Sequence, residues 1–165
     1  MFLIDANVLI TAKNRHYGMD FVPGFWRWLA DEHDELGLRS IDAVRHELFA
    51  QDDELAAWTK ELPSSFWLEE TEKDVAVLRA VAQWTMSEER AYRSSAQAEF
   101  LDNADYRLVA MAHAGAHVIV THEVPAPDSK SKIKIPDAAA AFGVVCREPF
   151  GVLRESGLLL GHRVG

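Results

Sequence analysis

The chain opens on an apolar run, Phe2-Leu3-Ile4-Asp5-Ala6-Asn7-Val8-Leu9-Ile10, broken by one carboxylate and one amide. A run this short, ending in polar residues, predicts a buried strand whose carboxyl end delivers Asp5 to a crevice, with Asn7 capping the helix that follows. In open α/β sheets, ligands bind beyond those strand ends. A buried carboxylate is costly unless something positive meets it, so Asp5 needs a cation, a set of donors or a proton. The plainer alternative is that Asp5 and Asn7 hydrogen-bond the turn between strand and helix.

The 165 residues fit a single domain spanning 1–165, and five Trp and eight Phe supply enough apolar area for a dense core. The lone cysteine, Cys146, cannot form an internal disulfide, which favours a reducing compartment. No apolar run approaches the roughly 20 residues needed to span a bilayer. The amino terminus also lacks a secretory signal, so the expectation is a cytoplasmic protein with no membrane partner. A net charge of −9 argues against nucleic-acid binding through a broad basic face. It leaves room for a nuclease that meets phosphate through metal ions and a few local cations.

Strand and helix patterns alternate along the chain. Gly37–Ile41 reads as a second strand, and Asp42 as the cap of a helix over Ala43–Ala50. On that helix Val44 and Glu47 are three residues apart and share a face, so Glu47 points coreward, toward a site or an ion pair with Arg45. Phe66-Trp67-Leu68 is a short apolar segment before a long helix, Thr71–Ser87, with a Thr71/Asp74 capping pattern and a stripe of Val75, Leu78, Ala82, Trp84 and Thr85. Arg90, Tyr92 and Arg93 interleave cation and aromatic, a pattern able to stack a base or to serve as an ordinary exposed connection. Asp105 precedes Leu108 by three and Val109 by four, which sets it on the buried stripe of a first helical turn. Complementing the helix dipole is its plainer role. Asp102, three residues earlier, either caps that helix or joins the acids.

His117–Thr121 reads as a buried strand that releases Thr121, His122 and Glu123 at its carboxyl end. A Pro, Ser and Lys loop follows, with Lys130, Lys132 and Lys134 alternating beside the strand end, a solvated loop or a phosphate contact. Gly143–Cys146 reads as a last strand, Pro149–Leu160 as a closing helix and Gly161–Gly165 as a frayed end. The alternation implies an α/β fold, a parallel-stranded central sheet flanked by helices. In that arrangement Asp5, Glu47, Asp105, Thr121 and Glu123 emerge near one edge. Carboxylates brought together repel unless a divalent metal or protons neutralise them, and hard oxygen ligands suit Mg²⁺ or Mn²⁺.

These segments together resemble the PIN-domain nucleases, and among them a bacterial and archaeal group of PIN-like proteins. The resemblance rests on Leu3–Leu9, on Ser40-Ile41 leading to Val44 and Glu47-Leu48, on Ala104-Asp105 with Leu108–Ala112, and on Val118–Thr121 with Glu123. It extends to Tyr17-Gly18, Pro23–Trp26, Trp58 and Lys134–Asp137. It implies a PIN-like fold and a Mg²⁺-dependent endoribonuclease of single-stranded RNA, commonly the VapC-type toxin of a toxin–antitoxin pair. Asp5, Glu47 and Asp105 match the three metal-binding acids, and Asn7 and Thr121 the polar residues supporting them. Glu123 stands where PIN domains usually carry a fourth acid, most often Asp. Its Pro and Lys continuation departs from the family, leaving the fourth ligand open among Glu123, Asp128 and Asp137.

The expected function is therefore metal-dependent hydrolysis of RNA, with Lys130, Lys132, Lys134 and Arg15 meeting phosphate. The resemblance adds an antitoxin partner and, since PIN domains often pair, a homodimer. The alternative is a catalytically silent PIN-like module that docks a protein partner. A phosphatase built on Asp5 ranks last, because Asn7 stands where that chemistry needs a second acid.

Overall fold

A computed structural model describes residues 1–160; the end at 161–165, read above as frayed, lies outside the described residues. Five parallel strands form one sheet: β1 (Phe2–Ile4), β2 (Leu38–Ile41), β3 (Trp67–Leu68), β4 (Val118–Val120) and β5 (Cys146–Arg147), in the order β3-β2-β1-β4-β5. The register sets Leu3 beside Arg39 on one side and beside Ile119 on the other. Leu3, Ile41 and Ile119 are fully buried, as expected for strands covered by helices on both faces. From β1 the chain winds outward through β2 and β3, then returns across β1 to build β4 and β5. The direction of winding therefore reverses between β1 and β4, and the crevice beyond their carboxyl ends is where such sheets bind ligands.

Nine α-helices accompany the strands among the described residues: α1 (Ala6–Thr11), α2 (Pro23–Leu36), α3 (Asp42–Phe49), α4 (Glu54–Glu61), α5 (Glu72–Thr85), α6 (Ser94–Asp102), α7 (Ala104–Ala114), α8 (Ile135–Ala141) and α9 (Pro149–Glu155). Pro23 opens α2, where its missing N–H costs nothing, and Gly37 closes it at φ 63°, a conformation suited to glycine. None of these helices is long and apolar enough to cross a membrane.

Several boundaries differ from the sequence reading, each for a local reason. Asp5, not Asn7, caps α1, its carboxylate accepting from the Asn7 backbone N–H at 3.3 Å. Helix α3 begins at Asp42 itself, after Ile41, and Asp42 faces Arg45 and His46 instead of capping. After α1 the chain widens into a five-residue π-helix, Ala12–His16. In α5 the inward positions are Asp74, Val81 and Thr85, while Val75 is exposed; Asp74 turns in to accept from the Thr71 N–H and hydroxyl, both at 2.7 Å. The last strand starts only at Cys146, because the Val144 N–H is spent on Ala139 at the end of α8. Helix α9 stops at Glu155, and Gly157 follows at φ 73°. Tyr92, read as part of an exposed connection, is buried against Trp84.

Candidate functional site

The sheet's reversal point holds Asp5. Its backbone N–H bonds Val120 across the β1/β4 pair at 3.0 Å, and its carboxylate accepts the Thr121 hydroxyl at 2.9 Å. The side chain is 1% exposed and makes no ion pair with any described residue. Burial pushes its pKa up to about 6, against the lowering effect of Thr121 and the Asn7 amide, and the charges of Glu123 and Glu47 push the same way.

Two other acids share this field. Asp105, in the first turn of α7 and half-buried, is pushed up to about 7 by burial and then by the charges of Asp5 and Glu123, with Lys132 opposing. Glu47 on α3 is raised by burial and by Asp105. Neither forms an ion pair among the described residues. Glu47 lines an open cleft of about 730 Å³ with Asp42, Glu69, Glu70 and Asp102. The basic side chains on that cleft are engaged: Arg107 pairs with Glu70 at 2.5 Å, and the His46 ring faces Asp42 at 3.4 Å. Asp102 is exposed at the end of α6 and borders the cleft without capping α7, whose cap position is Asn103.

The family model that matches residues 2–160 is described as a domain of unknown function, DUF4411. The chain belongs to that family. No curated protein and no solved structure matches it.

In this DUF4411 chain the remaining predicted residues serve the loop that follows β4. Glu123 accepts from Lys134 Nζ at 2.8 Å and from the Ile135 N–H at 2.7 Å, so its charge goes to opening α8. Asp137 is buried and accepts the Ala126 N–H on both oxygens, at 3.1 and 3.0 Å, pinning the Pro-rich turn. Asp128 is exposed in that turn. The expected basic patch separates as well. Lys134 is consumed by Glu123, while Lys130 donates to the Arg90 carbonyl at 2.9 Å and lies 5.9 Å from the Tyr92 ring. Lys132 alone borders the niche of Asp105, 4.0 Å from Glu99. Arg15 is exposed on the π-helix, and Asn7 supports Asp5 through its backbone, its side chain facing solvent.

Sequence spacing missed two features. The Arg107–Glu70 pair joins positions 37 residues apart, and only the fold sets them on one cleft. The His16, His122 and Phe150 rings also meet across three segments.

Among the described residues, no three His, Cys, Asp or Glu side chains stand close enough to share one metal ion. The chemistry of Asp5, Glu47 and Asp105 nonetheless fits a hard divalent cation. All three offer oxygen, none is answered by a described lysine or arginine in an ion pair, and each holds its proton more tightly than a free carboxyl.

Proposed function

We propose that this chain is a Mg²⁺- or Mn²⁺-dependent endoribonuclease of single-stranded RNA, a PIN-like enzyme acting as the toxin of a toxin–antitoxin pair. One observation carries the reading: Asp5, Glu47 and Asp105, far apart in sequence, lie within each other's electrostatic reach beside the sheet's reversal point, none with an ion-pair partner among the described residues. Acids perturbed by burial and by one another at a sheet's switch point are the signature expected of a functional site. These three carboxylates would hold the metal, which, when bound, lowers the pKa of a water and stabilises the leaving oxygen in phosphodiester hydrolysis.

The chain's own residues do the rest. Thr121 fixes the Asp5 carboxylate through its hydroxyl and also accepts the Glu123 N–H at 3.1 Å, which ties β4's end to the following loop. Lys132, the one lysine of the loop placed beside Asp105, offers a positive charge to substrate phosphate. An RNA partner, an antitoxin partner, a homodimer and a cytoplasmic setting belong to the same proposal. For the last, the support is the single cysteine, whose thiol burial pushes up to about 11, away from ready oxidation.

Incubating the purified protein with single-stranded and duplex RNA, with Mg²⁺ or Mn²⁺ and with chelator, tests the reading. Cleavage of single strands alone, lost with chelator and in Asp105→Asn, is the expected result. Intact RNA under every condition would sink it. A second reading, the silent docking module, is favoured by the engagement of Glu123 with Lys134, which leaves three acids where the family pattern has four. Titration calorimetry with Mn²⁺ separates the two, since the module alone would take up no ion.

A further inference from the structure

The two flanks of the acid centre differ in character. Toward Glu47 the surface is a cleft rich in carboxylates, Asp42, Glu69, Glu70 and Asp102, whose arginine, Arg107, is paired with Glu70. A chain of phosphates is repelled there. On the other flank, the residue after Thr121 is His122, and its ring meets two others. His16 lies 6.2 Å from His122 and 5.1 Å from Phe150, edge-on to the latter, and His122 lies 6.0 Å from Phe150. His16 is exposed, and the other two rings are half-buried.

The local chemistry explains how the three rings converge. The π-helix, closed by the Tyr17 N–H on the Ala12 carbonyl at 2.6 Å, carries His16 from the end of α1 to the end of β4. Tyr17 is fastened in turn, stacked on Phe25 at 4.2 Å, with its carbonyl accepting the Trp26 indole N–H at 2.6 Å. Phe150 rises from the first turn of α9, and beneath the rings lies an apolar cavity of about 40 Å³. The acid beside His122, Glu148, is already accepting from the Gly151 N–H at 3.0 Å. Arg15, next to His16, is exposed and forms no ion pair among the described residues.

We propose that His16, His122 and Phe150 form a stacking platform for one base of the single-stranded substrate, next to the phosphate presented to Asp5 and Asp105. The inference rests on the nuclease reading for its substrate. Aromatic faces accept any base, so the platform selects for an unpaired strand and not for a sequence. A duplex, whose bases are already stacked, gains nothing from it. These are positioning residues, and no proton transfer is assigned to them.

Direct binding in chelator, where cleavage cannot intervene, tests the platform by the anisotropy of a fluorescein-labelled oligouridylate added to the whole chain. His16→Ala should weaken binding about tenfold, the order of one lost base stack. His16→Tyr, which keeps a flat ring without the imidazole, should restore it. An abasic oligomer of equal length should bind the wild type as weakly as the intact oligomer binds His16→Ala. Phe150→Ala should act in the same direction, and since His16 is exposed, the His16 pair decides the matter even where Phe150→Ala folds poorly. Unchanged affinity in His16→Ala, or no binding of the oligomer by the wild type, overturns the platform and leaves the rings only as a cover for the apolar cavity. The nuclease reading fails separately. Ring-dependent binding with no cleavage in Mn²⁺ keeps the platform and removes the enzyme, whereas cleavage with affinity indifferent to His16 does the reverse.

Discussion

Asp5 and Glu123 are separated by a single hydroxyl, that of Thr121, yet the protein uses their carboxylates in opposite ways. Glu123 and its neighbour in function, Asp137, are answered by a lysine and two backbone N–H groups between them, and they hold the loop after β4 in place. Asp5, with Asp105 and Glu47, is buried or half-buried, has no ion-pair partner among the described residues and is held at raised proton affinity. Carboxylates that stabilise a fold are satisfied by it. Those it keeps underserved are where stability has been given up, as functional sites commonly require.

The sharpest way to break this contrast is to neutralise one acid of each kind. Asp5→Asn and Asp105→Asn should each lower RNA cleavage about 10³-fold, the order seen when a group acting directly on the reacting centre is removed. Glu123→Gln should leave the turnover of the folded fraction within a few-fold. Single-turnover kinetics on matched RNA would measure both, and equal losses at Asp5 and Glu123 would erase the distinction.

The second test is pH. Asp5 and Asp105 bind protons more tightly folded than unfolded, so between about pH 4 and pH 7 the native state carries the extra protons. Stability must then fall as pH rises through that window and level off above it, the reverse of an ion-paired carboxylate. For Asp5 alone, raised from the ordinary carboxylate range to about 6, this corresponds to roughly 3 kcal/mol. Asp5→Asn should therefore melt higher than wild type at pH 8 and nearly together with it at pH 4. A divalent ion should stabilise the wild type by about 3 kcal/mol at one hundred times its Kd at pH 8, and by far less at the same concentration at pH 5, where protons compete for the carboxylates. Thermal melts with and without Mn²⁺ provide the check, and a flat profile from pH 4 to 8 would show the acids to be solvated.

On the other side of the comparison, Asp137→Ala should cost about 1–2 kcal/mol, because the half-buried Ala126 N–H loses both acceptor oxygens. Denaturant unfolding at pH 7 would show it. No loss would mean that the loop is held by its other ties, such as the Arg93 N–H on the Lys130 carbonyl at 2.9 Å.

How much of this was written in the sequence depends on the range of the interaction. The parallel sheet follows from β-branched runs punctuated by helical stripes, and Asp5 and Asp105 are legible because each interrupts an apolar pattern that fixes which way it faces. Glu123 and Asp137 interrupt theirs in the same manner. What separates them is a lysine 11 residues away and backbone donors of a loop whose path no periodicity encodes. The capping error at Asn7 has the same origin: helix α1 begins immediately after the strand, so the acid expected in the crevice also serves the helix end. The His16, His122 and Phe150 rings were invisible for a further reason, since a π-helix shifts the positions after it out of the ordinary helical register.

The finest division lies between two lysines. Lys134 and Lys132 are two residues apart, alike in charge and in loop, but one is bonded to Glu123 and the other stands by Asp105. Lys134→Gln should lower stability by about 0.5–1 kcal/mol, as for a partly exposed pair, with KM for RNA unchanged. Lys132→Gln should leave the melting curve alone, raise the proton affinity of Asp105 further, and increase KM a few-fold with kcat little altered, the pattern of lost uniform binding. If both variants raise KM alike, the loop acts as a diffuse positive charge, and the separation of its lysines into a structural and a substrate-facing one is wrong.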